Sequence, residues 1–209
     1  MNKNYQLILN NTLKQISAAN RRPSLLLHVC CAPCSSYVLE YLNEYFDITV
    51  LFYNPNITEN EEYTKRYKEL IRLVSELPHK YPIKVIDGGY TPEPFTAISK
   101  GLENEPEGGK RCLKCYHLRL RFTANMAKKH KFDYFTTTLS ISPHKDANIL
   151  NSIGKELSDE YGVEYLYSDF KKKNGYKRSC ELSRIYNLYR QDYCGCIYSK
   201  MERRNQNEH

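Results

Sequence analysis

The stretch HVCCAPCSS, His28 to Ser36, sets three thiols within five residues, at Cys30, Cys31 and Cys34. Adjacent cysteines make a poor disulfide, because the ring is strained and the Cβ geometry is wrong. A run this dense calls for partners from elsewhere in the chain, and the residue type points to a metal. Two further groups supply such partners: the C-x-x-C of Cys112 and Cys115 and the C-G-C of Cys194 and Cys196. The two-residue gap of C-x-x-C lets both sulfurs face one metal. A structural zinc takes four ligands, and seven clustered cysteines exceed that number. An iron–sulfur cluster on four thiolates leaves three for redox work or a second metal. Iron–sulfur, zinc, and thiol redox chemistry without metal all stand at this point. Cys180, alone in a polar stretch, reads as an ordinary thiol.

Compartment matters to that reading. The chain has 209 residues, 41% hydrophobic and 26% charged, the proportions of one sizeable globular domain. No apolar run approaches the roughly 18 residues of a membrane span, and the first twenty residues are amphipathic without the apolar core of a secretory signal. These features predict a cytoplasmic protein with no membrane partner, where thiols stay reduced and serve as ligands or redox groups. The formal charge of +7 permits an anionic partner without demanding one. Most of the 19 tyrosines read as half-buried packing.

The elements that must position these thiols follow from hydrophobic period. Short apolar runs predict strands at 24–29, 47–53, 83–89, 132–139 and 163–169. Tyr63, Tyr67, Leu70, Val74 and Leu77 fall at helical spacing and predict a helix over 59–77. Further helices are expected after Ser35 and Ser36, which are positioned to cap, near 91–101, over 112–130, over 142–161 and over 178–190. Strands alternating with helices predict an α/β fold, a mostly parallel sheet with helices on both faces. Residues 1–23 read as an N-terminal helical extension, 24–199 as one α/β catalytic domain, and 200–209 as a disordered polar tail. CCAPC follows the first strand, NPNIT the second and SISPHK the fourth, so the chemical-looking segments share one sheet edge.

The ordered set HVCCAPC, LFYNPNI, EYTKRY, RCLKCYHLRL, FTTTLSISPHK, DFKKKNGY and LYRQDYCGC resembles the epoxyqueuosine reductases of the QueH type, from about residue 24 to 199. The resemblance implies a fold like the adenine-nucleotide α-hydrolase (HUP-type) group. It implies an enzyme of the last step of queuosine synthesis, which reduces the wobble-position epoxide of epoxyqueuosine in tRNA with a [4Fe-4S] cluster and without cobalamin. The implied partners are the tRNAs for Tyr, His, Asp and Asn and an unidentified electron donor. By motif, Cys30, Cys31, Cys112 and Cys115 become the cluster ligands, and Cys194 and Cys196 a redox-active dithiol. Cys34, where some members carry Asp, becomes a ligand for an adjacent mononuclear iron.

For the tRNA, the run KKKNGYKR supplies Lys171, Lys172, Lys173, Lys177 and Arg178. Such a run on its own is usually a solvated loop; beside the thiol edge it reads as a phosphate track. Lys65, Arg66 and Lys145 are weaker candidates, and Tyr53 and Tyr176 are candidates to stack a splayed base. A proton donor is not singled out among His28, His144, Asp146 and Asp169. Two other functions compete. One is a zinc-stabilised, non-catalytic RNA-binding module. The other is an ATP-dependent tRNA thiolase, which needs a Gly-rich phosphate loop where this chain has CCAPC.

Overall fold

The computed structural model describes residues 3–207; residues 1–2 and 208–209, the ends of the expected N-terminal segment and tail, lie outside the described residues. The strands are β1 (Ser24–His28), β2 (Asp47–Phe52), β3 (Lys84–Asp87), β4 (Tyr134–Thr137) and β5 (Glu164–Tyr165). They form one parallel sheet in the order β3-β2-β1-β4-β5. The helices are α1 (Tyr5–Ala18), α2 (Ala32–Leu42), α3 (Asn60–Glu76), α4 (Glu93–Ser99), α5 (Lys110–Lys129), α6 (Ala147–Tyr161), α7 (Gly175–Ile185) and α8 (Ile197–Asn207). The expected α/β class and parallel sheet are therefore present.

β1 is buried on both faces, which is why it reads as a continuous apolar run. Its alternation sends Leu25 and Leu27 to a core shared with α1, α2 and α3. Leu26 goes to the opposite core, with Leu120 and Ala124 of α5 and Leu150 and Leu157 of α6. Leu26 stands beside Phe135 of β4 and Leu27 beside Val50 of β2. At the other end of these strands, Asp133 accepts from Ser24 N (2.8 Å) and Ser24 Oγ (2.7 Å), which fixes where β1 and β4 begin.

The chain order reverses at β1, since β2 and β3 lie on one side of it and β4 and β5 on the other. A crevice outside the carboxyl ends of β1 and β4 is the usual ligand site of such a sheet. Into it run Cys30–Cys34 after β1 and a 3-10 turn, Thr138–Ile141, followed by Ser142–Lys145 after β4. That turn is held from below: Asn151 of α6 bonds Ser168 through both its amide atoms (2.8 and 2.9 Å), and Ser168 Oγ meets Ser140 Oγ at 3.1 Å.

Several elements differ from the sequence reading. α2 starts at Ala32 with extended Cys31 as N-cap. Ser35 and Ser36 lie inside it, their hydroxyls donating to the carbonyls of Cys31, Ala32 and Pro33, so they do not cap. The last strand keeps only two residues, and the helix expected at 178–190 runs from Gly175 to Ile185. Gly175 is required there, because a Cβ would lie 2.0 Å from the Phe170 carbonyl. The expected disordered tail from 200 is instead helical through 207, tied down by Lys200 to Glu59 (2.5 Å) and by Glu202 near Arg111 (3.6 Å). α1 sits in the main core through Leu9, Leu13 and Ile16.

If α1 belongs to that core, Leu13→Ala lowers unfolding free energy by about 2–5 kcal/mol, with an unchanged urea m-value. Urea denaturation followed by circular dichroism measures it; a loss below about 0.5 kcal/mol, the size of a surface substitution, would mark α1 as a dispensable extension.

Candidate metal centre

Because α2 begins at residue 32, Cys30 and Cys31 stand just ahead of its first amides and Cys34 falls in its first turn. The three sulfurs lie within 4.8 Å of one another, the one group of three or more His, Cys, Asp or Glu ligand atoms so placed among the described residues. Cys30 Sγ is 3.7 Å from Cys31 Sγ and 3.8 Å from Thr138 Oγ1. Hydrogen bonds from Cys31 and Cys34 hold the Cys30 thiol well below the ordinary range, aided by the charges of Arg119 and Lys145. The same bonds push Cys31 up to about 12 and Cys34 well above its usual value. The group therefore ionises first at Cys30, and the helix N-terminus favours that thiolate.

Cations close the site. Arg119 of α5 is 1% exposed, donates to Asn54 Oδ1 (2.6 Å) and has its Nε 3.3 Å from His28 Nε2. Its Nη1 has no hydrogen-bond partner, and among the described residues no carboxylate pairs with it. Burial opposes its charge, but Cys115, Cys30 and Cys194 outweigh that and keep it protonated. Arg66 of α3 is also buried, but it has a carboxylate in Glu62 (2.6 Å). Lys145 is half-buried and faces Cys194, Tyr116, Cys30 and Cys34, which raise it against the opposing effect of burial. A desolvated guanidinium costs several kcal/mol unless an anion meets it. Among the described residues the Cys30 thiolate is the group beside Arg119 placed to supply that charge, and the protonated thiols around it can add more on binding a metal, so the donor set suits an anionic thiolate–metal assembly.

The other cysteines form a second group. Cys115 is buried against Cys196 and Phe95, while Cys112 is half-buried and accepts from Gly108 N at 3.3 Å. Burial raises Cys112 and pushes Cys115 up to about 12 and Cys196 to about 11. These thiols keep their protons until a metal displaces them. The C-G-C is docked by its own backbone: Cys194 O accepts from Arg66 Nη1 (3.1 Å) and Asn56 Nδ2 (3.3 Å), and Gly195 O from Thr58 N (3.3 Å). Gly195 has φ +123°, and a Cβ there would meet Ile57 at 2.9 Å, so glycine is needed for this approach. Cys30, Cys34 and Cys194 line one pocket of about 440 Å³ with Lys145, Arg66 and Tyr176. Cys180 lies apart, half-buried on α7.

A match to the model of the family Epoxyqueuosine reductase QueH covers residues 25–202. The chain belongs to that family of oxidoreductases. QueH proteins similar to it include those of Staphylococcus epidermidis, 42% identical over 95% of this chain and 85% of the relative, and Streptococcus pyogenes, 44% over 94% and 78%. The Thermotoga maritima QueH is 36% identical over 87% of this chain and 92% of its own length. Among the described residues no helix is long and apolar enough to cross a membrane.

Against this family background the other sequence candidates divide sharply. His28 is fully buried, between Thr137 Oγ1 (2.8 Å) and the Tyr53 carbonyl (3.1 Å), and burial with Arg119 lowers it to about 3. It stays neutral and joins strands. Tyr53 is buried and stacked on Phe122 at 3.8 Å, so it is closed to a base, whereas Tyr176 is exposed on the pocket wall. Lys65 lies over the Tyr189 ring at 3.5 Å. Of the basic run, Lys171 donates to Ser140 O (2.9 Å) and Lys145 O (3.2 Å) and pairs with Asp169. Lys173 reaches Asn10 (2.9 Å), and Arg178 pairs with Glu40 (2.6 Å). Lys172 and Lys177 stay exposed. Sequence reasoning missed Arg119 and Asn54. The signal for Arg119 was a charge on the apolar stripe of α5 formed by Tyr116, Leu120 and Thr123.

In the metal-free protein, iodoacetamide near pH 7 alkylates Cys30 well before Cys31, since only the thiolate reacts. Arg119→Met moves the Cys30 labelling curve to higher pH. Peptide mass spectrometry against pH reads both, and equal rates at Cys30 and Cys31 would contradict the ionisation order.

Proposed function

We propose that this protein reduces the epoxide of epoxyqueuosine in tRNA, at the wobble position, to queuosine. The observation that carries the reading is the set of Cys30, Cys31 and Cys34 at the sheet's switch point, beside a buried guanidinium that has no carboxylate partner among the described residues. The family match supports the substrate. The reaction takes two electrons and two protons: both epoxide C–O bonds break, a C=C bond forms, and the oxygen leaves as water.

Cys30, Cys31, Cys112 and Cys115 would hold a [4Fe-4S] cluster, with Cys34 a ligand for an adjacent mononuclear iron and no cobalamin required. When bound, the cluster supplies single electrons and the second iron Lewis acidity toward the epoxide oxygen. The residues of the chain do the rest. Lys145 presents its ammonium to the cavity shared by Cys30, Cys34 and Cys194, where negative charge develops on the departing oxygen. Asp146 is occupied in capping α6 and Asp169 in pairing with Lys171, whereas the Lys145 ammonium faces the sulfurs, and Lys145 is the donor we assign. Oxidation of Cys194 and Cys196 to a disulfide releases two electrons and two protons, the amount one epoxide consumes; an external donor of unidentified nature then restores the dithiol. Arg66 sets the distance of that pair from the triad by gripping the Cys194 carbonyl. Lys172 and Lys177 serve tRNA phosphates, and the thiols suit a reducing cytoplasm. A phosphate loop for a thiolase has no place after β1, where Cys30–Cys34 stand.

Anaerobic purification with iron and sulfide quantified, followed by assay on epoxyqueuosine-containing tRNA, tests the function; stoichiometric zinc without iron would favour the RNA-binding module. Cys112→Ser loses most iron and sulfide, while Cys180→Ser keeps both. Full iron in Cys112→Ser would remove that residue from the ligand set.

Thiol trapping with mass spectrometry before and after one anaerobic turnover detects a Cys194–Cys196 disulfide. If both thiols remain alkylatable and the double Ser variant turns over normally, the pair is not the electron store.

A further inference from the structure

The wall formed by Pro143, His144 and Lys145 lines the thiol pocket and also lines a second open pocket of about 560 Å³. That second pocket is completed by Lys3 and Tyr5 at the N-terminal end and by Asp169, Lys171 and Lys172 after β5. Its charges are unequally free. Asp146 Oδ1 accepts from Asn148 N at 2.7 Å, and Asp169 is 3.0 Å from the Lys171 ammonium. Lys145 is turned toward the thiols. Lys3 and Lys172 remain, both exposed, with no side-chain hydrogen bond or ion pair among the described residues. Tyr5 lies next to them, its ring nearly parallel to that of Tyr167 (6.1 Å, 11°).

A pocket of about 440 Å³ takes one nucleoside-sized group. A nucleoside inside a polynucleotide brings a phosphate on either side, and one of these must leave across the pocket's rim. The 143–145 wall offers such an exit, with two uncommitted ammonium groups and an aromatic ring beyond it. We propose that the second pocket binds the backbone of single-stranded RNA next to the nucleotide held at the thiols, a phosphate between Lys3 and Lys172 and a neighbouring base against Tyr5. This rests on the tRNA reading of the thiol pocket and adds the start of α1, which lies outside the family match, to the RNA surface. It also gives Lys171 a different task from Lys172: Lys171 braces the 140–145 loop that both pockets share.

The test is titration of an anticodon stem-loop RNA onto the full chain across salt concentrations, for the parent protein, Lys3→Ala/Lys172→Ala, and a control pair, Lys80→Ala/Lys155→Ala. The control removes the same charge from lysines paired with Glu44 and Asp159. Losing the one single-strand phosphate contact held between these lysines reduces the magnitude of the log Kd against log salt slope by about 0.7. That loss in Lys3→Ala/Lys172→Ala, with an unchanged melting temperature and an unchanged slope in the control, supports the proposal. Equal slopes in all three proteins overturn it, as does an equal loss in the control, which would mean diffuse attraction only. Loss of inorganic phosphate binding by calorimetry with an intact RNA slope also overturns it, by making the pocket a small-anion site. If the parent protein binds the stem-loop yet leaves epoxyqueuosine in tRNA unreduced, the thiol-pocket reading falls and the slope alone decides the second pocket.

Discussion

The guanidinium of Arg119, carried into the interior on the apolar stripe of α5, is the constraint around which the carboxyl edge of the sheet is arranged. Charge in a desolvated place has to be met by hydrogen bonds and by an anion. Asn54 answers part of the first need and in the same gesture donates to the Val29 carbonyl, joining the end of β2 to the end of β1. The thiols answer the second. Cys30 is acidified by its neighbours and by this cation, and Arg119 stays charged because sulfurs of three separate chain segments surround it. Cation and thiolate are thus each the reason the other is tolerated.

The docking of the C-terminal segment follows the same logic with a different acceptor. Arg66 donates to the carbonyls of Tyr193 and Cys194. Arg111, buried at the start of α5, gathers the carbonyls of Leu102, Glu103 and Glu105 and lies over the Tyr198 ring at 4.3 Å. Two buried arginines therefore hold main chain as well as one carboxylate each, Glu62 and Glu202, and so position the C-G-C and the α4–α5 loop next to the sulfurs. Backbone acceptors ask little of sequence composition. The polar helix α8 is fixed in turn by side chains, Lys200 to Glu59, Glu202 near Arg111 and the Tyr198 ring under Arg111.

Placing both cysteine groups near the switch point divides the basic residues of the surface by use. Of those nearest the thiols, Arg66 and Lys171 are consumed by carbonyls and carboxylates, while Lys145 faces the sulfurs themselves. Those a little further out keep free ammonium groups. A formal charge of +7 therefore overstates the charge available to an anion at any one place, and the distribution matters more than the total.

Much of this protein is legible in its sequence. The period of the apolar residues determines the parallel sheet, because strands buried on both faces must be apolar throughout, as Leu25–Leu27 are. The spacing of Cys30, Cys31 and Cys34 determines their convergence, since a helix starting at Ala32 brings residues one turn apart to one side. Local sequence could not decide which lysines are free: Lys171 and Lys172 are neighbours of one type, and only the distances to Ser140 and Lys145 separate them. Nor could it show that Tyr53 is sealed under Phe122, or that residues 200–207 form a helix, since partners distant in the chain hold both. The grouping of Cys115 with Cys196, some eighty residues apart, likewise belongs to tertiary structure. Periodicity and spacing record which face a residue takes; burial of a charge and the partner that meets it depend on what the rest of the chain brings to that face.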